Sequence, residues 1–247
     1  MASIHLTLMG KGGVGKTFVA SLLAQYLSHR TETKNCPLCL IDTDPVNASF
    51  TQYKAWEVQP LRLQEDGSSR INERRFDALM ERLLNEEADF IIDNGAATFV
   101  PLSNYLIENQ AVPMLLGAGK RVLVHAVITG GQGLADTVNG LNQLANQFPP
   151  EIALVVWLNP YFGPIEHEGK AFRDMAVYKK HKDRIAAVIE IPAHTSDTFG
   201  ADINEMLEKK LTFDEAVQSD SFTIMSRQRL TLVRNALFER IGAAFAA

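Results

Sequence analysis

Residues 10–18 read Gly-Lys-Gly-Gly-Val-Gly-Lys-Thr-Phe, GKGGVGKTF. Before them stands a short apolar run, Ile4-His5-Leu6-Thr7-Leu8-Met9, of the kind that forms a buried strand. After them Val19, Leu22, Leu23 and Leu27 recur at the spacing of a helix with one buried face. Strand, glycine-rich turn and helix together turn a GxxxxGK[ST] match into a phosphate-loop signature. Gly10, Gly12, Gly13 and Gly15 let the backbone curl with its N–H groups inward, and the helix N-terminus adds partial positive charge. Lys16 is placed to bridge the β- and γ-phosphates of a nucleotide, and the Thr17 hydroxyl to bind Mg2+. Lys11 is unexplained at this level, since a loop that only cradles phosphate has no evident need of a second lysine.

The rest of the chain fits a single α/β domain over residues 1–247. Its 46% apolar and 21% charged content is that of an ordinary globular protein. A net charge of −5 gives no global attraction to nucleic acid or to an acidic membrane surface. No apolar run approaches the roughly 20 residues of a membrane span, and the first strand starts almost at Met1, so a cytoplasmic location with no membrane span is expected. The two cysteines, Cys36 and Cys39 in NCPLC, lack the further ligands of a zinc site, and Cys39 reads as a small apolar strand residue.

Further strands are expected at Leu38–Asp42, Phe90–Asp93, Arg121–Thr129, Ile152–Leu158 and Ile185–Ile191. Helices are expected at Asn72–Glu87, Pro101–Asn109 (with Pro113 breaking or restarting it), Leu134–Phe148 and Glu166–Asp183, and in the last quarter. Near-continuous apolar strands alternating with helices predict a three-layer fold, a mostly parallel sheet covered by helices on both faces. Ligands of such sheets sit at the carboxyl ends of the strands. Three tips there carry chemistry: DTDPVNASF with Asp42 and Asp44, DNGA with Asp93, and WLNPYFG with Asn159, whose amide has the donor and acceptor to read an adenine edge. TGGQG (129–133) reads as a tight turn at the sheet edge, KKHKDR (179–184) as an exposed helix end, and no role is assigned to the six histidines.

KGGVGKT, IDTDP and FIIDNGA, in that order, resemble the deviant phosphate-loop ATPases of the ParA/MinD group over most of the chain. The resemblance implies a P-loop NTPase fold, ATP and Mg2+ as cofactors, slow Mg-dependent hydrolysis and a homodimer formed on ATP binding. It makes Lys11 the signature lysine that reaches the ATP of the opposite subunit, with Lys11, Lys16 and Asp44 catalytic. Gly12, Gly13, Val14, Gly15, Lys16, Thr17, Phe18, Asn159 and Pro192 would contact the nucleotide; Thr17, Asp42 and Asp93 would serve the metal. The chain departs from partition ATPases in Phe18, in DNGA and in DPVNA. Together GKGGVGKTF, CLIDTDPVNASF, IIDNGAATFVPLSNYLIEN and VITGGQ look like the TraL-type proteins of conjugative plasmids, which implies conjugation or relaxosome proteins as partners. Three other classes compete: a partition ATPase touching DNA through Arg227, Arg229, Arg234 and Arg240, a membrane-cycling protein anchored by residues 232–247, and a metabolic ligase or kinase.

Overall fold

A computed structural model of the chain describes residues 2–34, 36–44, 46–65, 70–193 and 195–246, with the backbone alone for 30–34. Asn35 and Pro45, which fall in the motifs quoted above, lie outside the described residues. The strands are β1 (Ser3–Thr7), β2 (Leu38–Asp42), β3 (Val58–Pro60), β4 (Asp89–Asp93), β5 (Arg121–Thr129), β6 (Ala153–Asn159), the two-residue β7 (Glu166–His167) and β8 (Lys170–Ala171), and β9 (Ile185–Glu190). The helices are α1 (Lys16–Lys34), α2 (Phe76–Asn85), α3 (Phe99–Glu108), α4 (Ala111–Gly117), α5 (Leu134–Gln147), α6 (Ala176–His181), α7 (Ala201–Glu208), α8 (Phe213–Gln218) and α9 (Ile224–Ala246).

Seven strands form one sheet in the order β3-β2-β4-β1-β5-β6-β9, every pair parallel. Parallel strands need crossover helices, and these cover both faces, so β4 is buried along its whole length. On one face α1 packs on β1, β2 and β4 and joins α7, α8 and α9; α2 to α6 form the other layer. The helices are held by their apolar stripes: Phe76, Leu79, Met80 and Leu83 on α2, and Leu230, Val233, Leu237 and Ile241 on α9. Each such buried side chain stabilises by roughly 1.5–3 kcal/mol. The α9 stripe faces the core, while Ile224, Met225 and Leu232 of the same helix are exposed. Among the described residues no helix is long and apolar enough to cross one.

Register decides what meets at the carboxyl edge. Thr7 and Asp42 both pair with Asp93, and Thr129 pairs with Asn159. Three polar side chains of β1, β2 and β4 therefore end at one level beside the glycine-rich loop.

Several expectations need correction. The helix expected over Glu166–Asp183 is instead a β7–β8 hairpin followed by the six-residue α6. Glu168 and Gly169 both take positive φ (51° and 71°), the geometry of a type I′ turn, which a helix cannot absorb. TGGQG does not sit at the sheet edge, because β5 lies between β1 and β6. A Cβ on Gly130 would lie 2.2 Å from the Gly163 carbonyl oxygen, so this turn must be bare to let residues 163–164 cross it. KKHKDR is not simply exposed: the Arg184 guanidinium donates to the carbonyls of Ala145, Phe148 and Pro149 and so caps the end of α5, and His181 is buried against Asn142. The edge strand β3 carries too few apolar residues to announce itself.

Candidate nucleotide site

The loop between β1 and α1 is built as the glycines require. Gly13 and Gly15 hold φ of +73° and +104°, which L side chains rarely adopt. Lys16 is the first residue of α1 and its ammonium donates to the Lys11 carbonyl at 3.0 Å, across the mouth of the loop. It is 8% exposed, and burial lowers its pKa, with Asp93 and Asp44 opposing the shift. A buried cation at a helix N-terminus, met by one carbonyl oxygen, is a site in want of an anion. Lys11 behaves otherwise. Its ammonium meets Asp136 on the first turn of α5 at 2.8 Å, with the two side chains 45% and 55% exposed. A pair as wet as this contributes at most about 1 kcal/mol, so Lys11 is held loosely.

The carboxylates have distinct tasks. Asp93 accepts from the Thr17 hydroxyl at 2.6 Å and from the Thr7 hydroxyl at 2.8 Å. Burial pushes its pKa up to about 6 against those two hydrogen bonds. Asp42, also raised by burial, accepts from the backbone N–H groups of Asp44, Phe50 and Thr51 and thereby folds the loop after β2. Asp44 is half-buried and accepts from the N–H groups of Val46 and Asn47. Thr17 and Asp93 supply the hard oxygens that Mg2+ takes, and Mg2+ at such sites uses few protein ligands beside phosphate and water. The donor set fits that ion; Asp42, spent on backbone, fits only through its remaining lone pairs.

On the other side of the loop lies a cavity of about 690 Å³ lined by Gly13, Gly15, Phe18, Asn159, Tyr161 and Pro192, among others. The volume suits a nucleoside. Asn159 walls it, but its amide works on the loop: Nδ2 donates to the Val14 carbonyl at 2.9 Å and Oδ1 accepts from the Tyr161 N–H at 3.3 Å. The structure thus brings Gly12, Gly13, Val14, Gly15, Lys16, Thr17, Phe18, Asp42, Asp44, Asp93, Asn159 and Pro192 to one edge of the sheet.

The four C-terminal arginines are engaged within the chain. Arg227 pairs with Asp220, Arg229 with Asp202 and Arg234 with Asp214, while Arg240 donates to the Glu190 carbonyl. Cys39 is half-buried, with its thiol pushed up by burial and then by Glu86.

Reading the sequence missed three contributors. Asp136 follows no motif and is found only through its distance to Lys11. Thr7 is polar in an apolar strand, the one signal that marks it. Asn94, inside DNGA, is 1% exposed and fully used: its Nδ2 donates to the Thr7 and Ile92 carbonyls and its Oδ1 accepts from the Thr43 hydroxyl at 2.7 Å.

No family model matches the chain. Two proteins TraL of Escherichia coli are 52% and 53% identical to it over 244 residues, with 99% of each chain covered in both comparisons. A solved structure from Borrelia burgdorferi B31, described as that of a candidate plasmid partition protein bound to AMPPNP, is 16% identical. It covers 100% of this chain and 99% of its own, with a TM-score of 0.46.

Proposed function

The chain belongs to the TraL family, and from that premise we propose that it is an ATP-binding and ATP-hydrolysing switch of the ParA/MinD type. It is built as one domain over residues 1–247 and closes into a homodimer in the cytoplasm. The observation that carries this reading is the buried Lys16 ammonium at the centre of a glycine loop, with the Thr17–Asp93 pair on one side and a nucleoside-sized cavity on the other.

The loop N–H groups and Lys16 hold the β- and γ-phosphates, while Phe18, Asn159 and Pro192 wall the base. Thr17 and Asp93 would hold Mg2+; Asp42 acts mainly by shaping the loop that carries Asp44. Bound with ATP, Mg2+ supplies positive charge against the phosphate oxygens. Asp44 orients the water that attacks the γ-phosphate. Lys11 leaves Asp136 and donates to the partner's triphosphate, much as an arginine finger supplied in trans does. Two facing triphosphates repel unless each receives such a cation, so dimer closure depends on ATP.

Conjugative plasmid transfer is the process we assign to the switch, with relaxosome or other conjugation proteins as its partners; that assignment rests on the family resemblance. A DNA-binding partition role is less well supported, because the four arginines it would use are already paired. Sedimentation of the purified chain with Mg2+ and either ATP or ADP, alongside release of labelled phosphate, tests the switch. Dimers with ATP alone and slow phosphate release are expected; a monomer under both conditions with no phosphate release would overturn it. Capture from cells carrying the parent plasmid, with and without ATP, tests the partner: a centromere-binding protein in place of transfer proteins would favour partition.

A further inference from the structure

The tip of β4 departs from the partition ATPases where it reads Asp93-Asn94-Gly95, and each of the three residues is committed to a different neighbour. Asp93 holds Thr17. Asn94 holds Thr43, the residue before Asp44, through the 2.7 Å bond from the Thr43 hydroxyl, and Thr43 N–H donates to the Asp93 carbonyl at 2.9 Å. Gly95 is buried under Asp44 itself. A Cβ built on Gly95 would lie 2.5 Å from Asp44 Cγ, 2.8 Å from Oδ1 and 2.9 Å from Cβ.

Gly95 has φ −62° and ψ 159°, extended backbone open to any residue. Conformation therefore does not demand a glycine here; space does. The Asp44 side chain is short, and Oδ1 is fixed by the N–H groups of Val46 and Asn47, so it cannot swing aside without giving up both bonds. Asn94 is just as constrained, since its amide is tied to β1 and to β4 as well as to Thr43.

From this we infer that Asn94 and Gly95 are positioning residues that seat the Asp44 carboxylate against the tip of β4, tying the loop after β2 to the strand that holds Thr17. Asn94 fixes the height of the segment and Gly95 leaves the volume the carboxylate fills. The inference deepens the proposed function, resting on it for the role of Asp44 in hydrolysis, while the seat itself is a packing relation that exists without nucleotide.

The test is a double-mutant cycle between Gly95→Ala and Asp44→Gly, which removes all three atoms that the new methyl would meet. The first readout is thermal unfolding of the full chain without nucleotide. With Asp44 present, Gly95→Ala should lower the melting temperature by roughly 3–10 °C, the usual cost of forcing a methyl into filled space. In the Asp44→Gly background the same change should cost little. A Gly95→Ala chain that folds only together with Asp44→Gly supports the seat; equal penalties in both backgrounds, or a chain that folds in neither, overturn it.

The second readout is phosphate release per bound ATP. Gly95→Ala should slow it by roughly 10- to 100-fold, as a misplaced catalytic group does, with ATP affinity nearly unchanged and no added loss in Asp44→Gly. Thermal coupling together with normal turnover in Gly95→Ala overturns the positioning role. Normal turnover in Asp44→Gly removes instead the proposed role of Asp44, and is told apart because the thermal cycle does not depend on it.

Discussion

The two halves of the sheet beside β1 end in different chemistry. On one side β4 and β2 finish in Asp93 and Asp42, carboxylates held by hydroxyls and backbone N–H groups. On the other, β5 and β6 finish in Thr129, whose buried hydroxyl donates to the Asn159 carbonyl, and Asn159, whose amide stands beside an open cavity. The first half handles charge, and there burial raises the pKa of both carboxylates. The second half supplies shape, and its single conspicuous polar group clamps the loop. On the proposed reading, one loop divides a nucleotide into a charged end and a bulky end, each met by the half of the sheet suited to it.

The comparison breaks most severely at Lys16, where the halves meet. Lys16→Ala removes the buried cation of the loop and leaves the triphosphate to backbone N–H groups. ATP binding should weaken by roughly a hundredfold or more, as loss of charge-assisted bonds implies. Equilibrium binding of a fluorescent ATP analogue reads this directly; affinity within threefold of the parent would remove the charged half from the account.

A second contrast lies deeper in the sheet, below the site. Trp157 Nε1 donates to His125 Nδ1 at 2.9 Å, which leaves His125 to donate through Nε2 to His5 Nδ1, also at 2.9 Å. His5 in turn reaches Ser3 through Nε2 at 3.1 Å, and Ser3 donates to Asp89 at 2.6 Å. The chain of donors fixes both imidazoles as neutral, and Phe245 of α9 packs against both rings, tilted on His5 and edge-on to His125. Burial takes His5 down to about 4; Asp89 opposes this and Arg121 adds to it. His125 is also lowered well below the ordinary imidazole range, by burial first and then by His5. Below about pH 6.5 the unfolded chain binds a proton that folded His5 refuses, so this contribution to stability is complete above pH 6.5 and is lost as pH falls toward 4. The loss for His5 amounts to about 3 kcal/mol. Asp93, whose folded pKa is raised, shifts stability in the opposite sense over an overlapping range, so the informative quantity is a difference. Urea unfolding of the parent should lose more stability between pH 6.5 and 4 than unfolding of His5→Asn does. Parallel pH profiles would show that His5 is not the group responsible.

A smaller effect sharpens the shape half. Asn159→Ala frees the Val14 carbonyl and loosens the loop, so ATP and GTP should both weaken by a similar factor, worth about 1–2 kcal/mol. A loss confined to ATP would mean that the amide reads the base rather than clamping the loop.

The charged half was legible in the sequence because its contacts are local in kind. A glycine loop between strand and helix, and aspartates at strand tips, signal their chemistry wherever the tips end up, and Asp42, Asp44 and Asp93 duly meet beside Lys16. What joins them was not legible. Asn94 and Thr7 act through strand register, and the Lys11–Asp136 pair spans two segments that only the folded sheet brings together. The histidine chain is similar: His5, His125 and Trp157 look like stray polar residues until β1, β5 and β6 align. The hairpin after β6 escaped because its charged residues resemble those of a solvated helix, and only the backbone at Glu168-Gly169 shows otherwise.

The central claim is that Lys11 serves the opposite subunit, and complementation within a mixed dimer tests it most directly. Lys11→Ala keeps Lys16, Thr17 and the loop N–H groups, so it should bind ATP but neither dimerise nor hydrolyse it. Asp44→Ala keeps Lys11 but lacks the group that orients water. In a dimer of one Lys11→Ala subunit and one Asp44→Ala subunit, the Lys11→Ala site has its own Asp44 and receives Lys11 from its partner. That site should regain phosphate release while each variant alone stays inactive. Dimers shown to be mixed that release no phosphate, or a Lys11→Ala protein that dimerises and hydrolyses ATP as the parent does, would contradict the account and leave Lys11 as the solvated partner of Asp136.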